Sequence, residues 1–126
     1  MYFCQVKVVI NEKNLDEFID CLDSLSAAFR KEKGCLDYSF YQDIEKENTY
    51  SLVVDWKTRQ DMEKHFKCKN FTVLIGAARV LGENIEISIG ESKERGGFQL
   101  AKEKITFQPM KTPAVDKKFK KSLRNR

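Results

Sequence analysis

Only one histidine and one tryptophan occur in this 126-residue chain, and both of its prolines, Pro109 and Pro113, fall near the C-terminus, where they break structure. A single imidazole, His65, leaves no material for a polyhistidine centre. The four cysteines, Cys4, Cys21, Cys35 and Cys68, include no C-x-x-C pair and show no Cys/His spacing of a zinc site. No metal is therefore expected. No glycine-rich nucleotide loop or flavin fingerprint is present either, so no cofactor is expected. No apolar run approaches the roughly 18 residues of a membrane span, and the start, Met1 to Lys7, lacks the basic region and apolar core of a signal peptide. Four scattered cysteines behind such a start read as reduced and mostly buried, in a cytoplasmic protein.

Forty-one per cent hydrophobic and 33% charged residues is the balance of a globular domain, and the length suffices for one. The net charge of +4 is unevenly spread. Residues 1–90 hold 12 basic and 15 acidic side chains; residues 91–126 hold 11 and 4. The basic character thus belongs to a C-terminal extension ending in Lys117, Lys118, Lys120, Lys121, Arg124 and Arg126 around Phe119. A charge run of this kind reads as a solvated end, and nucleic acid is not expected as a partner.

Periodicity divides residues 1–90 into six segments. Tyr2, Cys4, Val6, Val8 and Ile10 share one parity, as in a strand with one apolar face. Asn14 reads as the cap of a helix in which Leu15, Phe18, Ile19, Leu22, Leu25 and Phe29 recur at helical spacing, with Gly34 after its end. Cys35–Gln42 and Thr49–Trp56 alternate and are joined by a short polar turn, which predicts an antiparallel hairpin. Thr58 caps a short helix carrying Met62 and Phe66; Asn70 re-caps a second helical stretch through Phe71, Leu74, Ile75, Ala78 and Leu81 to Gly82. Ile85, Ile87 and Ile89 form a last strand. In residues 91–126, Gly96-Gly97 is a bend and Ile105-Thr106-Phe107 a short extra strand.

The order β-α-β-β-α-β is that of an α+β, ferredoxin-like sandwich over residues 1–90, followed by the extension 91–126. The helices cover one sheet face. Apolar and aromatic residues on the other parity call for a second cover, and a second copy of the chain is the simplest one, giving a homodimer.

Three stretches carry a family resemblance: Lys33-Gly34-Cys35-Leu36-Asp37-Tyr38-Ser39-Phe40-Tyr41-Gln42-Asp43, then Tyr50 to Trp56, then Asp61-Met62-Glu63-Lys64-His65-Phe66 with Asn70-Phe71 behind it. This succession resembles the antibiotic biosynthesis monooxygenase family over about residues 2–90. The resemblance implies a dimeric α/β barrel with a pocket between helices and sheet. It also implies oxidation of a quinol or other phenolic aromatic by dioxygen without a bound cofactor; the alternative is a non-catalytic small-molecule-binding or stress-response module on the same barrel. His65 occupies the place of the family's helix histidine and is the candidate base. Trp56, ending the third strand, is the candidate pocket wall, and Tyr38 the phenol beside the substrate. These three are the expected catalytic residues, with Phe40, Phe66, Asn70 and Arg79 as substrate contacts. The haem-degrading relatives use an Asn on the first strand and a later His on the second helical segment. Here Gln5 and Val6 stand in the first region and Phe71–Leu81 holds no histidine, so the resemblance does not extend to haem.

Overall fold

β1 (Tyr2–Ile10) runs antiparallel between two neighbours in a four-stranded sheet of order β2-β3-β1-β4. The computed structural model describes residues 1–105. Along them follow α1 (Glu12–Lys31), β2 (Cys35–Gln42), β3 (Thr49–Trp56), α2 (Arg59–Phe66), α3 (Lys69–Leu81), β4 (Gly82–Glu91) and α4 (Phe98–Lys104). The chain divides into two compact units, Met1–Lys93 and Glu94–Arg126. The first has the ferredoxin-like topology, its second crossover made of two short helices where one is usual.

The alternation of β1 places Cys4, Val6, Val8 and Ile10 beneath the helices, where all four are buried. They meet Phe18, Leu22, Leu25 and Phe29 of α1, and Leu74 and Ala78 of α3. Tyr38, Tyr50, Leu52, Val54 and Trp56 continue this layer across β2 and β3. The opposite face carries Phe3 and Val9 of β1, Val53 of β3 and Tyr41 of β2 among polar Gln5, Lys7 and Ser51. Of these, Tyr41 is exposed and the others are partly exposed.

Both helix caps assigned to asparagine stand elsewhere. Asn11, the last extended residue after β1, caps α1, its Oδ1 accepting from the Lys13 N–H at 3.1 Å. A capping residue must itself be non-helical, and Asn14 is already inside the helix. Its side chain donates to the Leu81 carbonyl at 3.2 Å, tying the start of α1 to the end of α3. Likewise Asn70 lies within α3, which Cys68 caps through its sulfur. Residues 98–104, where the sequence shows no clear period, form α4; the strand expected at 105–107 begins at a helix C-cap, Ile105, and otherwise lies outside the described residues, as does the basic end. All four cysteines are free, but only Cys4 is buried. On β4, an edge strand, Ile87 and Ile89 sit opposite Val6 and Cys4, yet remain about half exposed (48% and 55%).

Gly34 has φ +82°, and a Cβ on it would run into the Asp61 carboxylate. Its carbonyl accepts from the Lys57 N–H at 2.8 Å, joining the α1–β2 turn to the β3–α2 turn. Both the left-handed backbone and the close approach demand glycine. Gly34→Ala is expected to lower stability by about 1–3 kcal/mol, read as a fall in the urea midpoint.

Burial also sets an alkaline limit. It pushes the Cys4 thiol from 9.0 up to about 11 and, as the largest influence, the Tyr38 phenol from 10.0 up to about 12. Both groups are neutral in the fold, so their contribution is intact below pH 9–10, where the unfolded chain also holds the protons. It is lost as pH rises through the folded values, by about 1–3 kcal/mol for each group. Urea midpoints at pH 8 and pH 11 measure the loss; Cys4→Ala and Tyr38→Phe each remove part of the slope.

Candidate active site

α2 begins at Thr58, whose Oγ1 accepts from the Asp61 N–H at 3.1 Å. That start sets the phase of the helix: Asp61, Met62 and His65 form its buried face, and Phe66 only its margin. His65 is therefore on the inward stripe, at 2% exposure, which the sequence pattern assigns to Met62 and Phe66.

The imidazole is held among aromatic rings. Its centroid lies 4.7 Å from Trp56, 4.9 Å edge-on from Phe29, 5.0 Å from Phe71 and 5.9 Å from Phe66. Nδ1 is 2.8 Å from a carboxylate oxygen of Glu32. An ionised carboxylate only accepts, so Nδ1 carries the proton and donates it, leaving the Nε2 lone pair for chemistry. Burial holds the imidazole below its ordinary value of 6.5, against the opposing pull of Glu32, so the ring is neutral at pH 7. Glu32 is the C-cap of α1, its N–H bonded to the Phe29 carbonyl at 3.2 Å. No sequence period singles it out; the turn at Gly34 brings it beside a helix 33 residues further on.

Trp56 closes β3 opposite Tyr2 and Cys35 and is fully buried. Tyr38, opposite Val54, shares its sheet face and packs on Phe29 at 5.6 Å. Arg30 lies 5.1 Å above the Tyr38 ring and donates to the Tyr38 carbonyl at 3.4 Å. The Tyr38 hydroxyl and the Trp56 indole N–H are both buried with no hydrogen-bond partner among the described residues. Two unsatisfied donors in one apolar layer are costly, and both suit an oxygen acceptor.

A groove of about 370 Å³ between α1 and β2 is lined by Leu22, Arg30, Tyr38, Phe40 and Tyr41, among others. It shares Ile19 and Phe40 with a wider groove of about 850 Å³ that reaches Leu15 and Tyr50. Phe40 stacks on Tyr50 at 5.5 Å. Of the residues singled out from sequence, His65, Trp56 and Phe66 thus meet directly, Tyr38 joins them through Phe29, and Phe40 lines the grooves. Asn70 is half-buried in the first turn of α3, and Arg79 is exposed in its last turn. Asp55, next to Trp56 on β3, is buried as well. Glu32, His65 and Cys68 bring three potential metal-ligand atoms within 4.8 Å of one another.

The family model for antibiotic biosynthesis monooxygenases matches residues 1–75. The chain belongs to this family. Among solved structures, a Deinococcus radiodurans protein assigned to the same family aligns with a TM-score of 0.69 at 21% identity, covering 75% of this chain and 95% of that one. A conserved protein of Methanosarcina mazei aligns at 0.68 and 24%, covering 73% and 92%. A variant of SnoaB, a cofactor-independent oxygenase of Streptomyces nogalater, aligns at 0.65 and 15%, covering 75% and 94%. These likenesses establish the fold. An uncharacterised protein of Synechocystis is 32% identical over 66 residues, which span 52% of this chain and 44% of that relative. None of the described helices of this family member is long and apolar enough to cross a membrane.

Proposed function

We propose that this chain oxidises an electron-rich quinol or phenol with dioxygen and no bound cofactor. The observation that carries this reading is the neutral, carboxylate-oriented His65 against Trp56, in the layer that holds two unpartnered donors. In this scheme a flat aromatic enters by the groove over Phe40 and Tyr38, and Phe29, which packs against both Tyr38 and His65, shifts to let it reach the imidazole. Nε2 of His65 takes a hydroxyl proton. The Trp56 N–H and Tyr38 O–H stabilise the resulting anion, whose charge is strongly felt in an apolar surrounding.

The anion then passes electrons to dioxygen. One oxygen atom enters the ring as a new carbonyl, and the other leaves as water with the two hydrogens the substrate loses. The substrate supplies all four electrons, so no outside reductant enters. The working unit of the proposal is a homodimer closed over the sheet face bearing Phe3, Val9, Val53 and Tyr41.

A second reading rests on a different observation. Trp56, Phe29, Met62 and His65 are each buried to 2% exposure or less and in mutual packing. A layer so closed also suits a binding module without turnover. Oxygen uptake with a panel of substituted hydroquinones separates the two. The oxygenase reading expects uptake that His65→Ala and Trp56→Phe suppress. Absent uptake, with hydroquinones still quenching Trp56 fluorescence, selects the binding module.

A further inference from the structure

We propose that Glu32, His65 and Cys68 form a binding site for a divalent metal of the zinc class. The donors are an imidazole nitrogen of His65, a carboxylate oxygen of Glu32 and the Sγ of Cys68, all within 4.8 Å of one another, and Nδ1 is the nitrogen that faces Glu32. Zinc ligands at about 2.0–2.3 Å from the metal stand roughly 3.3–3.8 Å apart in a tetrahedron. The Nδ1–carboxylate pair, 2.8 Å apart as a hydrogen bond, thus has to open by only about half an ångström to admit the ion. Nitrogen, oxygen and sulfur in one set favour zinc or cobalt over magnesium or calcium, which take oxygen alone.

Each donor is placed by contacts that owe nothing to a metal. Four rings fix the imidazole plane. The C-cap hydrogen bond to the Phe29 carbonyl fixes the Glu32 backbone. Cys68 is the N-cap of α3, and its sulfur accepts the Phe71 N–H at 3.4 Å. A hydrogen bond donated to sulfur at a helix N-terminus is the outer-shell support that a metal thiolate uses. The site is sealed on the His65 side, at 1% side-chain exposure, and open on the Glu32 side, at 24%. That opening gives an ion a path in and leaves a fourth position for water, the three-ligand pattern of open zinc sites. Sequence spacing could not reveal the trio, since Glu32 stands 33 residues before His65.

Metal here would also govern the proposed oxygenase, a consequence that rests on that reading. A cation on Nδ1 leaves the ring proton on Nε2, so the imidazole becomes a donor where the chemistry needs a base. Zinc would then inhibit turnover.

Cobalt(II) titration of the full, reduced chain tests the site independently of any substrate. The expected result is uptake of one ion per chain, with tetrahedral visible bands and a near-ultraviolet sulfur-to-cobalt band that zinc bleaches. Cys68→Ser keeps a good N-cap and removes the sulfur, so that band disappears. Glu32→Gln weakens binding about tenfold or more, and Cys21→Ser leaves it intact. Absence of the band in the native chain, or a band unchanged in Cys68→Ser, overturns the proposal. In the oxygen assay, zinc lowers the native rate and leaves Cys68→Ser at its own metal-free rate. A protein that binds cobalt and consumes no oxygen keeps the metal site and loses the oxygenase.

Discussion

Exchanging His65 for glutamine lowers kcat for hydroquinone-dependent oxygen uptake by about 10²- to 10⁴-fold, the usual worth of a positioned general base. Glutamine is the informative replacement. Its amide can still donate to Glu32, so the link between α1 and α2 survives, while the lone pair that takes the proton is gone. KM should move little, because His65 is buried and is not among the residues lining the groove, whose walls include Phe40, Tyr38 and Arg30. Oxygen-electrode rates, with circular dichroism to show that the variant is folded, decide the matter. A folded His65→Gln protein within tenfold of the native kcat removes imidazole base catalysis from the scheme.

Trp56→Ala is expected to cost about 3–5 kcal/mol of folding stability, the range for deleting a large buried aromatic. Against a total of about 5–15 kcal/mol for a domain, that leaves the native state marginal. The ring is fully buried, lies 4.7 Å from His65, and closes β3 where it pairs with both Tyr2 and Cys35. No shift of neighbours refills such a volume. Trp56→Phe separates packing from chemistry. It keeps most of the volume and removes an N–H that has no partner among the described residues, so its stability cost is far smaller than that of alanine. If that N–H meets the substrate anion, kcat still falls about 10²-fold. Urea midpoints and oxygen uptake for the two variants resolve this: equal stability losses contradict the packing account, and an unchanged kcat in Trp56→Phe contradicts the anion contact.

The elements most legible in the sequence were those whose period reports burial on one face. Cys4, Val6, Val8 and Ile10 alternate because one side of β1 lies under helices, and the 3.6-residue recurrence from Leu15 to Phe29 follows from α1 resting on the sheet. Local cap chemistry was read less well. Asn11 and Asn14 are equally good caps by type, and Cys68 is a poorer one than Asn70. Which residue serves depends on where the chain leaves the strand or the preceding turn, a matter of path and not of side-chain preference. α4 lacked a signal because a seven-residue helix with no buried residue has no apolar period to display.

By itself, then, the sequence determined the order of strands and helices over residues 1–90, the core faces of β1 and α1, and that the chain holds a single imidazole, since these follow from alternation, helical recurrence and residue scarcity. Only the tertiary structure decided what that imidazole touches. Glu32 reaches His65 and Cys68 because the left-handed turn at Gly34 brings the end of α1 beside the break between α2 and α3, where Cys68 follows His65 by three residues. A hydrogen bond across 33 residues leaves no period behind it, because it is set by the closure of the fold and not by the repeat of any one element.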